Sequence, residues 1–171
     1  MIEYYDKNGQ LEERRSYKKG TLDCVVEVFY EGQLNQRVNY KNGKLDGLCE
    51  SFAEGMGVLI IRSYYKKGKK DGLEEWFSRK GQIEERLFYK KGKLDGLYEK
   101  FFDNNKLRLK GNHKNNKREG LWEGFYHNGH MKFRRNYKGG KLDGLIENFD
   151  KKGNLYESKK FKNGKLINNL N

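Results

Sequence analysis

Proline is missing from the 171 residues, cysteine occurs twice and histidine three times. Without proline no turn is fixed by a rigid ring, so the 21 glycines must supply the turns. Cys24 and Cys49 alone do not make a disulfide framework. Three histidines leave little for general acid–base work. Long apolar runs are lacking too. The longest purely aliphatic one, Val58-Leu59-Ile60-Ile61, falls far short of the ~20 residues a membrane-spanning helix needs. Met1 to Lys7 offers neither a basic stretch nor an apolar one, so no signal peptide is expected there. A complete chain would then be cytoplasmic, whereas one that had lost a leader would be secreted or displayed at the cell surface.

Acidic residues are outnumbered, 24 against 37 Lys and Arg, which sets the net charge at +13. Hydrophobic residues make up 35%, below the usual ~45–50%, and charged ones 36% against ~25%. A common core packed with aliphatic side chains is therefore not expected. Aromatics nevertheless reach 14%, with 12 Tyr and 10 Phe, too many for a disordered polyelectrolyte. The chain should fold as one domain or one continuous array around a thin core of large rings.

Internal repetition dominates. Tyr40-Lys-Asn-Gly-Lys-Leu-Asp-Gly47 has counterparts at Tyr17 to Cys24, Tyr65 to Gly72, Tyr89 to Gly96, His113 to Gly120, Tyr137 to Gly144 and Phe161 to Asn168. The aromatic slots 17, 40, 65, 89, 113, 137 and 161 lie 23 to 25 residues apart. After Asp-Gly comes Leu-x-Glu-x-Phe, as in Leu48 to Phe52 and Leu97 to Phe101, then a short polar turn such as Lys80-Gly81. A second alternating run, for example Ile83 to Tyr89, leads back to the aromatic slot.

Both runs have period two and are bounded by Gly, Asn and Asp, the pattern of strand, turn, strand, turn. Asn-Gly and Asp-Gly are expected to supply the positive φ angles of tight hairpin turns. The fold class predicted is all-β: a single-layer twisted antiparallel sheet of about seven tandem 24-residue hairpins. Its repeats fall near 1–23, 24–46, 47–71, 72–95, 96–119, 120–143 and 144–171, one continuous array over 1–171. About fourteen strands at ~4.8 Å spacing would extend roughly 65 Å. A closed barrel is disfavoured, because too few aliphatic residues are present to fill its interior.

Gly-Leu-x-Glu-x-Phe, Asn-Gly and Tyr-Lys-Asn-Gly-Lys-Leu-Asp-Gly together resemble the MORN repeat variant, over nearly the whole chain. The resemblance implies a twisted single-layer β array. It also implies kinship with bacterial antitoxins of the YwqK type and with repeat proteins of host-associated bacteria. Departures occur at Cys24, which replaces a Gly, at His113-Lys-Asn-Asn-Lys-Arg-Glu-Gly120, and in the last phrase, which lacks Asp-Gly.

Alternation sorts the side chains into two faces. One is expected to carry Leu48, Glu50 and Phe52 with Leu59, Ile61 and Tyr65 as a packed stripe. Glu3, Glu27, Glu50, Glu75, Glu99, Glu123 and Glu147 recur on it. Identical placement in every copy points to a ladder of hydrogen bonds or ion pairs with turn amides, Arg or Lys, whereas catalysis would single out one or two copies. The other face varies: Tyr64, Trp76, Phe88, Tyr98 and Trp122, with Ile146, are its candidates for binding a protein partner.

The seven eight-residue phrases hold 18 Lys and Arg against 6 Asp and Glu, which is +12 of the +13. As turns along one sheet edge they form a basic rail, densest at Lys66, Lys67, Lys69, Lys70, Lys90, Lys91 and Lys93. Such a rail suppresses unwanted association, steers an acidic protein such as a toxin, or meets an anionic membrane surface. Nucleic acid is disfavoured, because the rings lie on faces and the lysines on an edge. Gly139-Gly140-Lys141 lacks phosphate-loop spacing, and His127-Asn-Gly-His130 offers two ligands without a third, so neither cofactor nor metal is expected. Cys24 and Cys49 should lie roughly 10 Å apart, beyond the ~7 Å a disulfide spans, and remain free. No enzyme motif emerges. The function expected is a non-enzymatic scaffold for protein–protein interaction, possible roles being antitoxin or immunity protein, surface module, or anionic-lipid tether.

Overall fold

The computed structural model describes residues 1–18 and 21–169; the expected Lys19-Gly20 turn of the first phrase lies outside the described residues. In chain order the strands are β1 (Ile2–Tyr5), β2 (Leu11–Arg15), β3 (Tyr17–Lys18), β4 (Thr21–Leu22), β5 (Val25–Tyr30) and β6 (Gln33–Lys41). Then come β7 (Lys44–Phe52), β8 (Leu59–Lys66), β9 (Lys69–Phe77), β10 (Ile83–Lys90), β11 (Lys93–Phe101) and β12 (Leu107–Lys114). Last are β13 (Lys117–Phe125), β14 (Met131–Lys138), β15 (Lys141–Phe149), β16 (Leu155–Lys162) and β17 (Lys165–Asn169). Fifteen form one open antiparallel sheet in sequence order, and β3 and β4 pair separately. The described residues contain no helix. Two compact units divide the chain: Met1–Ile83 with Tyr89–Gly92, and Glu84–Phe88 with Lys93–Asn171.

Tight turns arise where the sequence places them. Asn42 and Gly43 have φ of 50° and 72°, and Lys67 and Gly68 have 51° and 79°. Two consecutive positive values are what a two-residue hairpin needs to match strand twist. The Asp-Gly pairs behave differently from expectation: strands run straight through them. In β6–β7, Val38 pairs with Cys49 and Tyr40 with Leu45, so Asn39 alone faces Asp46, Gly47 and Leu48. Gly47 takes φ +110° there, which a side chain would oppose, and Asn39 Nδ2 fills the gap by donating to Leu48 O at 2.7 Å. Cys24 stands in this bulge slot in the first copy, and there the strand is interrupted between β4 and β5. Its thiol donates to Ser16 O at 2.7 Å. Both cysteines are free, and burial pushes the Cys49 thiol above its ordinary value.

From Asp46 onward the bulge carboxylates tie a tight turn to the preceding one. Asp46 accepts from the Lys67 amide at 3.0 Å, Asp71 from Lys91 at 3.3 Å, and Asp95 from Asn115 at 3.2 Å. Glu119 accepts from Gly139 at 2.7 Å and Asp143 from Asn163 at 3.1 Å. Backbone bonds double the tie: Gly68 N donates to Leu45 O at 2.7 Å and Gly140 N to Arg118 O at 2.9 Å.

The recurring glutamates do form an ionic ladder across the strands. In the first unit it runs Glu3, Arg14, Glu27, Arg37, Glu50, Arg62, Glu75, with successive gaps of 2.9, 3.3, 3.1, 3.6, 3.4 and 3.7 Å. The second unit has Arg86–Glu99 at 3.6 Å, Lys110–Glu123 at 2.8 Å and Arg134–Glu147 at 2.7 Å. The cations also sit over the Phe two residues beyond a Glu, as Arg62 does over Phe77 and Arg86 over Phe101.

The partition of the second strands differs from expectation. Glu50 pairs with Arg62, Ser51 with Ile61 and Leu48 with Tyr64, so Tyr64 shares the glutamate face and Ile61 and Tyr65 lie opposite. The cause is a one-residue bulge after the loop: Ser51 meets Ile61 but Phe52 meets Leu59, leaving Ile60 over. A slip of one residue exchanges every side chain's face. The apolar core sits mainly on the face away from the glutamates: Val26 and Val38 are buried in the first unit, Leu87, Trp122 and Ile146 in the second.

Candidate functional site

Two features were candidates for binding: the aromatic residues and the lysine-rich turns. The five aromatic candidates do not form one surface. Trp76 is on the face away from the ladder, where its Nε1 donates to Glu74 Oε1 at 3.0 Å, while Tyr64 is on the ladder face. In the second unit Phe88, two residues beyond Arg86, shares the ladder face, and Tyr98, beside Glu99, takes the opposite one. Tyr64, Trp76 and Phe88 are 40%, 41% and 38% exposed, enough to meet a partner, but Trp122 is 1% exposed and is not accessible.

Trp122 is the centre of a packed cluster instead. Its ring lies on Gly111, where a Cβ would stand 2.2 Å from Trp122 Cδ2. Its Nε1 donates to Asn112 O at 3.0 Å. Tyr98 and His113 pack against it with ring centroids 5.4 and 5.0 Å away, and the Arg118 guanidinium covers it at 4.3 Å. Tyr98 donates its hydroxyl to Glu85, and burial, then that carboxylate, push its pKa up. Burial, then the Arg118 charge, hold the His113 imidazole below its ordinary value. Sequence alternation separated Trp122 from the core because a single-layer sheet was expected to leave that whole face open.

The lysine-rich turns are accessible. Lys66, Lys67, Lys69, Lys90, Lys91 and Lys93 are exposed. Lys70 is not part of the rail. It occupies a slot held by Leu45, Leu94 and Leu142 in other copies, faces the sheet, and pairs with Glu74, whose side chain is 3% exposed. The Tyr89 ring lies 5.1 Å from its Nζ. Lys70 and Glu74 thus replace two apolar residues by a matched pair of charges, which keeps the buried carboxylate compensated.

Within the first unit Lys66, Lys67, Lys69 and Lys91 line a cleft of about 360 Å³ with Asp71. Lys67 and Lys91 both take φ of +51°. Asn42, Asn115 and Asn163 hold that turn position in other copies, and Asn tolerates the left-handed region better than Lys does. Two consecutive turns therefore carry lysine at a conformational cost. Asp71 accepts the Lys91 amide and is the cleft's single carboxylate.

His127 Nε2 lies 3.0 Å from Asp103 Oδ1. Among the described residues no group of three or more His, Cys, Asp or Glu is placed to hold a metal. Among the described residues no helix is long and apolar enough to cross a membrane.

Residues 2–19, 70–91, 94–115 and 118–138 match the model of a family described as the MORN repeat variant. No curated protein matches the chain.

Proposed function

We propose that the chain, four segments of which match the MORN repeat variant, is a non-enzymatic scaffold whose lysine-lined turns capture an acidic protein partner. The observation that carries this is the pair Lys67 and Lys91, held at φ +51° on consecutive turns and lining one cleft with Lys66 and Lys69. Charges kept at strained positions point to use rather than to solubility, for which any exposed site would serve. Tyr64, an exposed ring two residues from Lys66, would add affinity once the encounter is made. By the family resemblance the partner is a toxin, covered and neutralised by an antitoxin or immunity protein.

The test is capture from lysate of the source cell at low and high salt, with the wild type and with Lys66, Lys67, Lys69 and Lys91 all changed to Gln. One stoichiometric acidic protein, held by the wild type and at least ten-fold less by the variant, is the expected result. Retention of anionic lipid or nucleic acid alone, all released by salt, would overturn it in favour of a tether to an anionic surface.

A further inference from the structure

The edge opposite the tight turns carries loops such as 102–106 and 126–130, closed by bonds from Phe102 N to Lys106 O and from Tyr126 N to His130 O, both 2.8 Å. Two positions there change chemistry from copy to copy: the first loop residue and the residue left over by the bulge. They are Asp6 and Glu12 in the first copy, Phe102 and Arg108 in the fifth, Tyr126 and Lys132 in the sixth. Clefts form at this edge between successive hairpins. In the first unit they are acidic: one of about 470 Å³ includes Asp6, Glu12 and Glu31, and one of about 630 Å³ includes Glu31, Glu54 and Arg79.

The second unit holds a cleft of opposite sign, about 420 Å³ in volume. Leu109, Phe125 and Phe133 are among its apolar lining, Phe102 and Tyr126 are its loop rings, and Arg108, Lys132 and His127 are its polar lining residues. No carboxylate lines it. The rings are held in place. Tyr126 donates its hydroxyl to Phe149 O at 2.8 Å, and the Phe102 ring packs on His127 with centroids 5.1 Å apart. His127 in turn is anchored by Asp103 at 3.0 Å. Arg108 lies over Phe102 and Lys132 over Tyr126, each 5.7 Å from the ring centroid. Both cations are exposed, whereas Leu109, Phe125 and Phe133 are half-buried, so charge lies at the mouth and apolar surface behind it.

We propose that this cleft binds an aromatic side chain flanked by carboxylates, presented by an acidic peptide segment of a protein partner. The ring stacks among Phe102, Tyr126 and Phe133, and the carboxylates meet Arg108 and Lys132. Charge complementarity selects the anion: the mouth carries two cations, and Asp103, the carboxylate at its rim, is paired with His127. A peptide suits the site because Arg108, Lys132 and His127 are exposed, so a side chain enters while its backbone stays outside. This site is separate from the tight-turn lysines and stands whether or not they bind.

The test is a titration of the isotopically labelled full chain, followed by amide and His127 ring signals, with acetyl-Asp-Phe-Glu-amide. Saturable shifts at 102–109 and 125–133 are expected. Acetyl-Asp-Ala-Glu-amide, without the ring, and acetyl-Lys-Phe-Lys-amide, without the anion, should each bind at least about ten-fold more weakly. Arg108→Gln and Lys132→Gln, both at exposed positions, should each weaken binding about three- to five-fold with an unchanged melting temperature. Equal binding of the alanine peptide would overturn the proposal, as would shifts centred on the Lys66 to Lys91 turns. So would an absence of shifts at millimolar peptide, or broadening of the loop signals only by vesicles containing phosphatidylserine, which would make the edge a membrane contact.

Discussion

Arg62 offers the most direct check on what holds the sheet together. It lies between two carboxylates, 3.4 Å from Glu50 and 3.7 Å from Glu75, and 5.8 Å from the Phe77 ring centroid. Both glutamate side chains are only 11% exposed, so neither is fully hydrated without its partner. Arg62→Met keeps most of the aliphatic stem and removes the charge. Two part-buried ion pairs at about 1 kcal/mol each and a ring contact of about 0.5 kcal/mol give an expected loss of about 2–3 kcal/mol. For a chain of this size that lowers Tm by about 5–10 °C. Thermal and urea unfolding of Arg62→Met, Glu50→Gln and the double variant would measure it, with coupling of about 1 kcal/mol expected between the two sites. A Tm within about 2 °C of wild type, or strict additivity, would show that the ladder is a solvated row of charges. The sheet would then rest on its rings and backbone bonds alone.

Two further outcomes follow from particular contacts. Gly111→Ala places a methyl 2.2 Å from the Trp122 ring, so stability should fall by at least about 1–3 kcal/mol, and Trp122→Leu in the same chain should recover part of it in a melting experiment. The Asp143 carboxyl is held below the usual carboxylate range, first by the Asn163 amide and then by Lys162. A depressed folded pKa means its contribution is complete above the unfolded value of about 4 and disappears as pH falls through the folded one. The Asn163 amide shift should therefore titrate on the acid side of about pH 4, and in Asp143→Asn it should stay flat.

The hairpins and their tight turns were legible because a period of 24 residues repeats φ-positive residues at fixed positions, and glutamate at one slot in seven copies announced a ladder. Its Arg partners were less visible, since Arg14, Arg37 and Arg62 lie on strands whose register against the Glu strands is shifted by a leftover residue. The facing of the second strands was hidden by a single extra residue, Ile60 in one copy and Arg108 in another, which alternation alone cannot locate. Asp46-Gly47 has turn chemistry and yet forms a bulge, because Asn42-Gly43 has already reversed the chain four residues earlier. Paired departures were the more informative signal. Lys70 with Glu74, and Gly111 with Trp122, each depart from their slots in compensating directions, and each pair is in contact. The loop-edge clefts left no trace in a strand-based alternation, since their chemistry sits in loops and leftover residues.

The tie between successive turns has a direction. Acceptors, the Asp46 carboxylate and the Leu45 carbonyl, belong to the earlier hairpin, and donors, the Lys67 and Gly68 amides, to the later one. The same order holds from Asp143 and Leu142 to Asn163 and Gly164. During synthesis the acceptor always leaves the ribosome first. A newly made hairpin thus meets a finished docking ledge on its predecessor, and the sheet can lengthen in the order of translation without waiting for its far end.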